Sequence, residues 1–246
     1  MKLGSRIFEP RPFTSTVTVG LLALLVSLGF WQLRRADQKK ALYDAFDKGA
    51  DTVRTLDGRT TPMPRYQHAE AHGRYDSAVQ ILIDNMTDAD GRAGYYVITP
   101  LALKGGGWLL VNRGWTPLGP SRASLPDVAV SDAERSVRGR ADHLPAAGIR
   151  MGQPTELRPP SPIVANFPDH RDIELALPGR RWTRATDVLL LDPDQSDGYV
   201  RQWHAPGIPP VRHIAYAVQW FGLAAALAGI YIATNLRRAP KPAAPA

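Results

Sequence analysis

Two stretches of the chain contain no charged residue: FTSTVTVGLLALLVSLGFWQL, residues 13–33, and IAYAVQWFGLAAALAGIYIATNL, residues 214–236. A helix of about 20 apolar residues crosses the hydrocarbon core of a bilayer, so each stretch is long enough to span. A cleaved leader is the competing reading of the first. The apolar region of a leader runs about 7–15 residues and ends at a small-x-small site. Here the run is longer and closes on Phe30-Trp31-Gln32-Leu33-Arg34-Arg35, which offers no such site. A buried core helix is the competing reading of the second. Its length and its closing Arg237-Arg238 favour a span.

Two spans put both ends of the chain on one side of a membrane. The expected organisation is a short segment 1–12, a span at 13–33, an extramembrane domain over 34–212, a span at 213–236 and a tail over 237–246. Lys2, Arg6, Arg11, Arg237, Arg238 and Lys241 lie on the side of the termini, against Arg34, Arg35, Lys39 and Lys40 on the other. Orientation is set by such short flanks, and here the count is close to even. The formal charge of +7 comes partly from these clusters, which read as anchors for anionic head groups. A chain held in the membrane at both ends is not expected to bind nucleic acid. The chain has no cysteine, which excludes disulfides, thiolate zinc sites and cysteine nucleophiles.

Between the spans the texture changes twice. Leu33, Ala36, Leu42, Tyr43 and Phe46 recur at helical spacing, so the first helix is expected to continue out of the membrane and stop at Gly49. From Arg65 onward, short apolar runs alternate with Gly, Pro and Asp. They are Arg65–Tyr75, broken at Gly73; Val79–Ile83; Gly94–Leu101; Trp108–Asn112; Arg135–His143; and Val188–Leu191, with a turn at Lys104–Gly107. That pattern predicts a mainly antiparallel β domain. The Pro-rich tract 152–168 reads as an irregular loop, Asp172–Leu177 as a short helix and 240–246 as a disordered tail. The fold class is therefore a membrane protein in which two transmembrane helices flank a mainly antiparallel β (α+β) extramembrane domain.

Five pieces occur in order within this frame: Leu28-Gly-Phe-Trp-Gln-Leu-Arg34, Gly73-Arg-Tyr-Asp76, Val97-Ile-Thr-Pro-Leu101, Leu110-Val-Asn-Arg-Gly-Trp115, and His213-Ile-Ala-Tyr-Ala-Val-Gln-Trp-Phe221. Together they resemble the Surfeit-locus-one family of cytochrome c oxidase assembly proteins. The resemblance runs from residue 28 to residue 221 and is poorest in the Pro-rich tract, where Phe167 stands in place of the commoner Trp. It implies a bacterial cytoplasmic (inner) membrane protein with both termini cytoplasmic and the main domain in the periplasm. It also implies a non-enzymatic role in oxidase biogenesis, binding haem a and assisting its insertion into oxidase subunit I, alongside other oxidase assembly factors.

The residues have their own case for such a site. His213, Tyr216, Ala217, Trp220 and Ala224 share one helical face. On a two-span topology His213 lies at the same interface as Trp31, Gln32 and Arg34. Imidazole is a common axial ligand of haem iron, with no other metal expected. Trp31, Tyr216 and Trp220 would wall a flat macrocycle. Arg34, Arg35 or Arg212 would suit its carboxylates. The bland alternative is an ordinary aromatic belt. Ala225 and Gly229 read as a close-packing pair between the spans.

Arg113-Gly114-Trp115 reads as a docking corner for a partner, or as a strand end with a packed Trp. His68, Glu70 and His72 alternate along one strand face, as a solvated face or the start of a metal triad. His143, His170 and His204 read as surface residues. No serine-hydrolase elbow, phosphate loop or dinucleotide fingerprint is present. The alternative function is a haem-free scaffold or accessory subunit that stabilises an oxidase assembly intermediate.

Overall fold

The computed structural model describes residues 2–3, 6–49, 51–59, 61–146, 157 and 161–238. In chain order the elements are β1 (Lys2–Leu3), β2 (Arg6–Phe8), α1 (Pro12–Lys48), β3 (Val53–Leu56), β4 (His68–Tyr75), β5 (Ile81–Thr87), β6 (Ala93–Leu103), β7 (Trp108–Pro117), β8 (Glu134–Asp142), β9 (Ile163–Ala165), α2 (His170–Ala176), β10 (Val188–Leu191), α3 (Pro210–Asn235) and β11 (Leu236–Arg238). They form two units: Met1–Tyr43 with Pro206–Ala246, and Asp44–Ala205.

The first unit is built on α1 and α3. Each opens on a proline, whose fixed φ and missing N–H suit a first helical turn. The first turns of α1 carry Thr14, Ser15 and Thr16, whose hydroxyls donate back to the carbonyls of Arg11 and Pro12. Such back-bonding suits β-branched and hydroxylated residues to a helix in lipid, where no water serves the backbone. Only 11% of the most apolar window of either helix is buried. A helix apolar all round must be covered by protein or by lipid; protein does not cover these, and the pattern is that of a membrane protein. Next to the termini, β2 lies between β1 and β11 in a small antiparallel sheet. The sequence shows only tails there, because two- and three-residue strands leave no periodic signal.

The two helices run antiparallel. Ser15 Oγ and Tyr231 OH hydrogen-bond at 2.5 Å near the termini. Farther along, Phe30 and Phe221 stack edge to face at 5.4 Å, and the Phe221 ring lies where a side chain on Gly29 would stand. The buried face of α3 carries His213, Ala217 and Ala224. Ala225 and Gly229 are exposed and Gly229 has open space about it, so they are not the packing pair. A Gly opposite a Phe does that job instead.

The second unit is the β domain, eight strands in the order β3-β4-β8-β10-β7-β6-β5-β9 with a further β4–β6 pairing. That pairing closes five strands, β4, β8, β10, β7 and β6, into a small barrel. Alternate residues face opposite ways along a strand. Leu189 and Leu191 of β10 therefore join Leu101, Leu109 and Val137 in one core. Val188 and Leu190 join Ile81, Leu110 and Ile173 in another, under α2. A strand buried on both faces reads as an unbroken apolar run, which is why Val-Leu-Leu-Leu shows no alternation. Helix α2 starts at a capping box between Asp169 and Asp172.

Gly73 does not break β4. The strand runs on to Tyr75, and Gly73 is where β4 pairs with β8 and β6 at once. A Cβ there would lie 2.2 Å from the Ala102 carbonyl oxygen. Gly73→Ala is expected to force β4 off β6 and lower stability by about 1–3 kcal/mol, the range for overpacking. Thermal unfolding of the detergent-solubilised protein checks this, and an unchanged midpoint would contradict the barrel closure.

The proposed docking corner is interior. Arg113 is 3% exposed and Trp115 is 4% exposed. The Arg113 guanidinium lies between the rings of Tyr75 and Tyr199 and donates to the carbonyls of Val128 and Asp197. Gly114, at φ +117°, lets the backbone of Tyr199–Arg201 close over the strand. The tract 152–168 contains β9, parallel to β5, instead of being irregular throughout; residues 147–156 and 158–160 of this region, and the expected tail 240–246, lie outside the described residues. His170 is not a surface residue, for both its ring nitrogens are buried.

Candidate functional site

At the end of the helix pair away from the termini, His213 of α3 meets Gln32 of α1. Nδ1 lies 2.8 Å from Gln32 Oε1. With that oxygen as acceptor, Nδ1 carries the proton and Nε2 keeps its lone pair. This is the arrangement in which a neighbour fixes a metal-binding imidazole's tautomer. Nε2 is buried and has no hydrogen-bond partner among the described residues. The contact lies ~26 Å along α1 from the Ser15–Tyr231 pair, at about 1.5 Å per residue. The spacing approaches the thickness of a hydrocarbon core, so one polar tie falls near each membrane interface.

The aromatic residues expected around His213 divide into two groups. Tyr216 is 50% exposed and Trp31 is 53% exposed. They present their rings outward, one residue before Gln32 on α1 and three after His213 on α3. Trp220 is half-buried, and Arg34 and Arg212 are exposed. The structure thus places His213 and Gln32 in contact and leaves Tyr216, Trp31, Arg34 and Arg212 open at the same level of the two helices. The residues fit a haem in donor type: a buried imidazole nitrogen without a partner, flat apolar rings and guanidiniums. What sequence reasoning missed was the direct role of Gln32 as the imidazole's partner. A polar residue near the end of a charge-free stretch was the available signal.

His68, Glu70 and His72 do point to one side of β4, with Ala69 and Ala71 on the other. His72 Nε2 lies 4.0 Å from Glu70, but His68 and Glu70 turn to different neighbours. His68 Nδ1 lies 3.7 Å from Asp192, and Glu70 accepts from Ser136. Among the described residues no group of three or more His, Cys, Asp or Glu side chains is placed to hold a metal ion. Burial chiefly lowers the His68 pKa, helped by Arg140 and Arg138 and opposed by Asp192 and Asp194. A folded-state value below the ordinary 6.5 means the folded form favours neutral imidazole. That stability is complete above 6.5 and is lost as pH falls through the folded value. The unfolding midpoint is expected to fall on acidification below 6.5, and His68→Gln to flatten that fall. An unchanged pH profile in the variant would contradict the assignment.

Set beside known protein families, residues 19–225 match the SURF1 family. The chain belongs to the SURF1 family. SURF1 proteins are known as oxidase assembly factors. A SURF1-like protein of Rickettsia felis is 23% identical over 239 residues, covering 89% of this chain and 95% of that one. The SURF1 match begins within α1 and ends within α3, so it takes in the whole β domain and the greater part of both helices.

Proposed function

We propose that the protein receives haem a where His213 meets Gln32 and passes it to subunit I of a haem-copper oxidase. The observation that carries this reading is the buried, unpartnered Nε2 of His213. Haem a is cargo here. His213 supplies the axial nitrogen, Gln32 holds the ring's tautomer, and Trp31, Tyr216 and Trp220 offer apolar rings to the macrocycle. Arg34 and Arg212 pair with its carboxylates. Because Nε2 is enclosed, loading requires the two helix ends to part or the imidazole to swing outward. A site that must open to load also opens to release, which suits a carrier. The protein sits in the bacterial inner membrane on this reading, with the β domain in the periplasm and oxidase subunit I and other assembly factors as its partners.

The second reading, a haem-free scaffold, has one observation in its favour. The His213–Gln32 bond mirrors the Ser15–Tyr231 bond at the opposite end. Both would then be plain ties between spans. Purification from cells that make haem a separates the two readings. The carrier gives a Soret band with the protein. Oxidase subunits that co-purify without pigment, together with failure to bind added haem a, would leave the scaffold.

A further inference from the structure

The β domain contains a basic cavity that haem carriage does not use. It measures about 550 Å³ and is lined by Arg59, Arg180, Arg181, Arg184, Trp182 and Glu174, with Gly58 at its edge. Two close backbone approaches build it. Gly58 lies against the turn after β6, where a Cβ would stand 1.6 Å from the Gly106 carbonyl oxygen. The segment carrying the other arginines is fixed to the start of β7 by Trp108 N–H to the Arg181 carbonyl, 2.9 Å, and Thr183 N–H to the Trp108 carbonyl, 2.8 Å. The guanidiniums are therefore presented from two anchored segments.

Their charges are unevenly answered. Arg180 pairs with Asp76 and stacks on the Trp108 ring at 4.7 Å. Arg184 pairs with Glu174 at 3.1 Å, and that carboxylate also lies 3.4 Å from His170 Nε2. Arg59 and Arg181 have no carboxylate partner among the described residues. Trp182, at 6% exposure, has its indole N–H buried without an acceptor among the described residues. The cavity thus holds an excess of donors and of positive charge over acceptors.

We infer that this cavity is a binding site for a phosphate-bearing anion. A carboxylate is satisfied by one guanidinium fork, whereas the oxygens of a phosphate accept from several at once. Four arginines facing one space, two of them without a counter-charge, match the second ligand. A soluble phosphate compound and the head group of an anionic phospholipid share this chemistry.

Calorimetric titration of the full chain in a neutral detergent tests the site. The probes are inorganic pyrophosphate, short-chain phosphatidic acid and, as the uncharged counterpart, short-chain phosphatidylcholine. Pyrophosphate is expected to bind, and Arg59→Gln/Arg181→Gln to weaken it at least about tenfold. Arg54→Gln, an exposed arginine of β3 outside the cavity, is expected to leave the affinity unchanged. If phosphatidic acid alone binds, with the same dependence on Arg59 and Arg181, the site stands as a lipid head-group site. Thermal unfolding controls for folding, and Arg181→Gln alone replaces the double variant if that variant is unstable. Absence of binding by both phosphate probes, or equal affinity in the cavity variants and wild type, overturns the inference.

Discussion

His213→Ala is expected to remove haem from the purified protein, with loss of the Soret band and affinity lowered by about a hundredfold or more, beyond the 10–100-fold typical of changes around a metal ligand. The axial nitrogen is lost outright, whereas the flanking rings and guanidiniums remain. Gln32→Leu is expected to weaken binding less, by about 10–100-fold, because the imidazole stays but its tautomer and direction are no longer held. Separation of the helices is not a sufficient explanation for either loss. A hydrogen bond between helices in a membrane is worth only about 0.6 kcal/mol on average. Tyr231→Phe removes the same kind of bond at the opposite end and is expected to keep the pigment. Equal haem affinity in His213→Ala and wild type would end the carrier reading.

Arg113→Met is expected to destabilise the β domain by roughly 3 kcal/mol or more, through partners left behind and not through lost docking. Nη1 of Arg113 lies 2.9 Å from the Val128 carbonyl, 3.3 Å from Gln80 Oε1 and 3.4 Å from Thr99 Oγ1. Nε lies 2.7 Å from the Asp197 carbonyl. The Arg113 pKa is lowered by burial, and burial likewise pushes the neighbouring Tyr75 up to about 12. Methionine fills a similar volume but satisfies none of those oxygens. Removing this residue would also reduce oxidase assembly in cells, by lowering the amount of folded protein. Chemical unfolding of the purified variant distinguishes the causes: a loss under about 1 kcal/mol, the net worth of a typical single hydrogen bond, would mean that Arg113 is not the centre of a buried network.

The helices were legible because lipid demands two one-dimensional properties, length and absence of charge, and residues 13–33 and 214–236 have both. The extension of α1 to Lys48 followed from apolar residues at helical spacing, and the strand at Val188–Leu191 from its composition. What escaped is what depends on three dimensions. Gly73 looks like a strand breaker along the chain, but it is the point where one strand passes two neighbours. Arg113 looks like an exposed corner, because nothing local reveals that Tyr75 and Tyr199 will enclose it. Helical spacing sets Tyr216 and Trp220 on one face with His213, yet helix packing buries His213, Ala217 and Ala224 and turns Tyr216 outward. Arg59 reaches Arg180–Arg184 only through the meeting of distant turns.

The haem site requires Gln32 and His213 to share one end of an antiparallel helix pair. The natural chain lacks cysteine, so introduced thiols report without background. Cross-linking with a short bis-maleimide, in membranes, compares Gln32→Cys/His213→Cys with Gln32→Cys/Tyr231→Cys. The first pair is expected to form an intramolecular cross-link and the second to form none. Efficient cross-linking of the second pair, with the first unreactive, would contradict the helix arrangement and the haem site built on it.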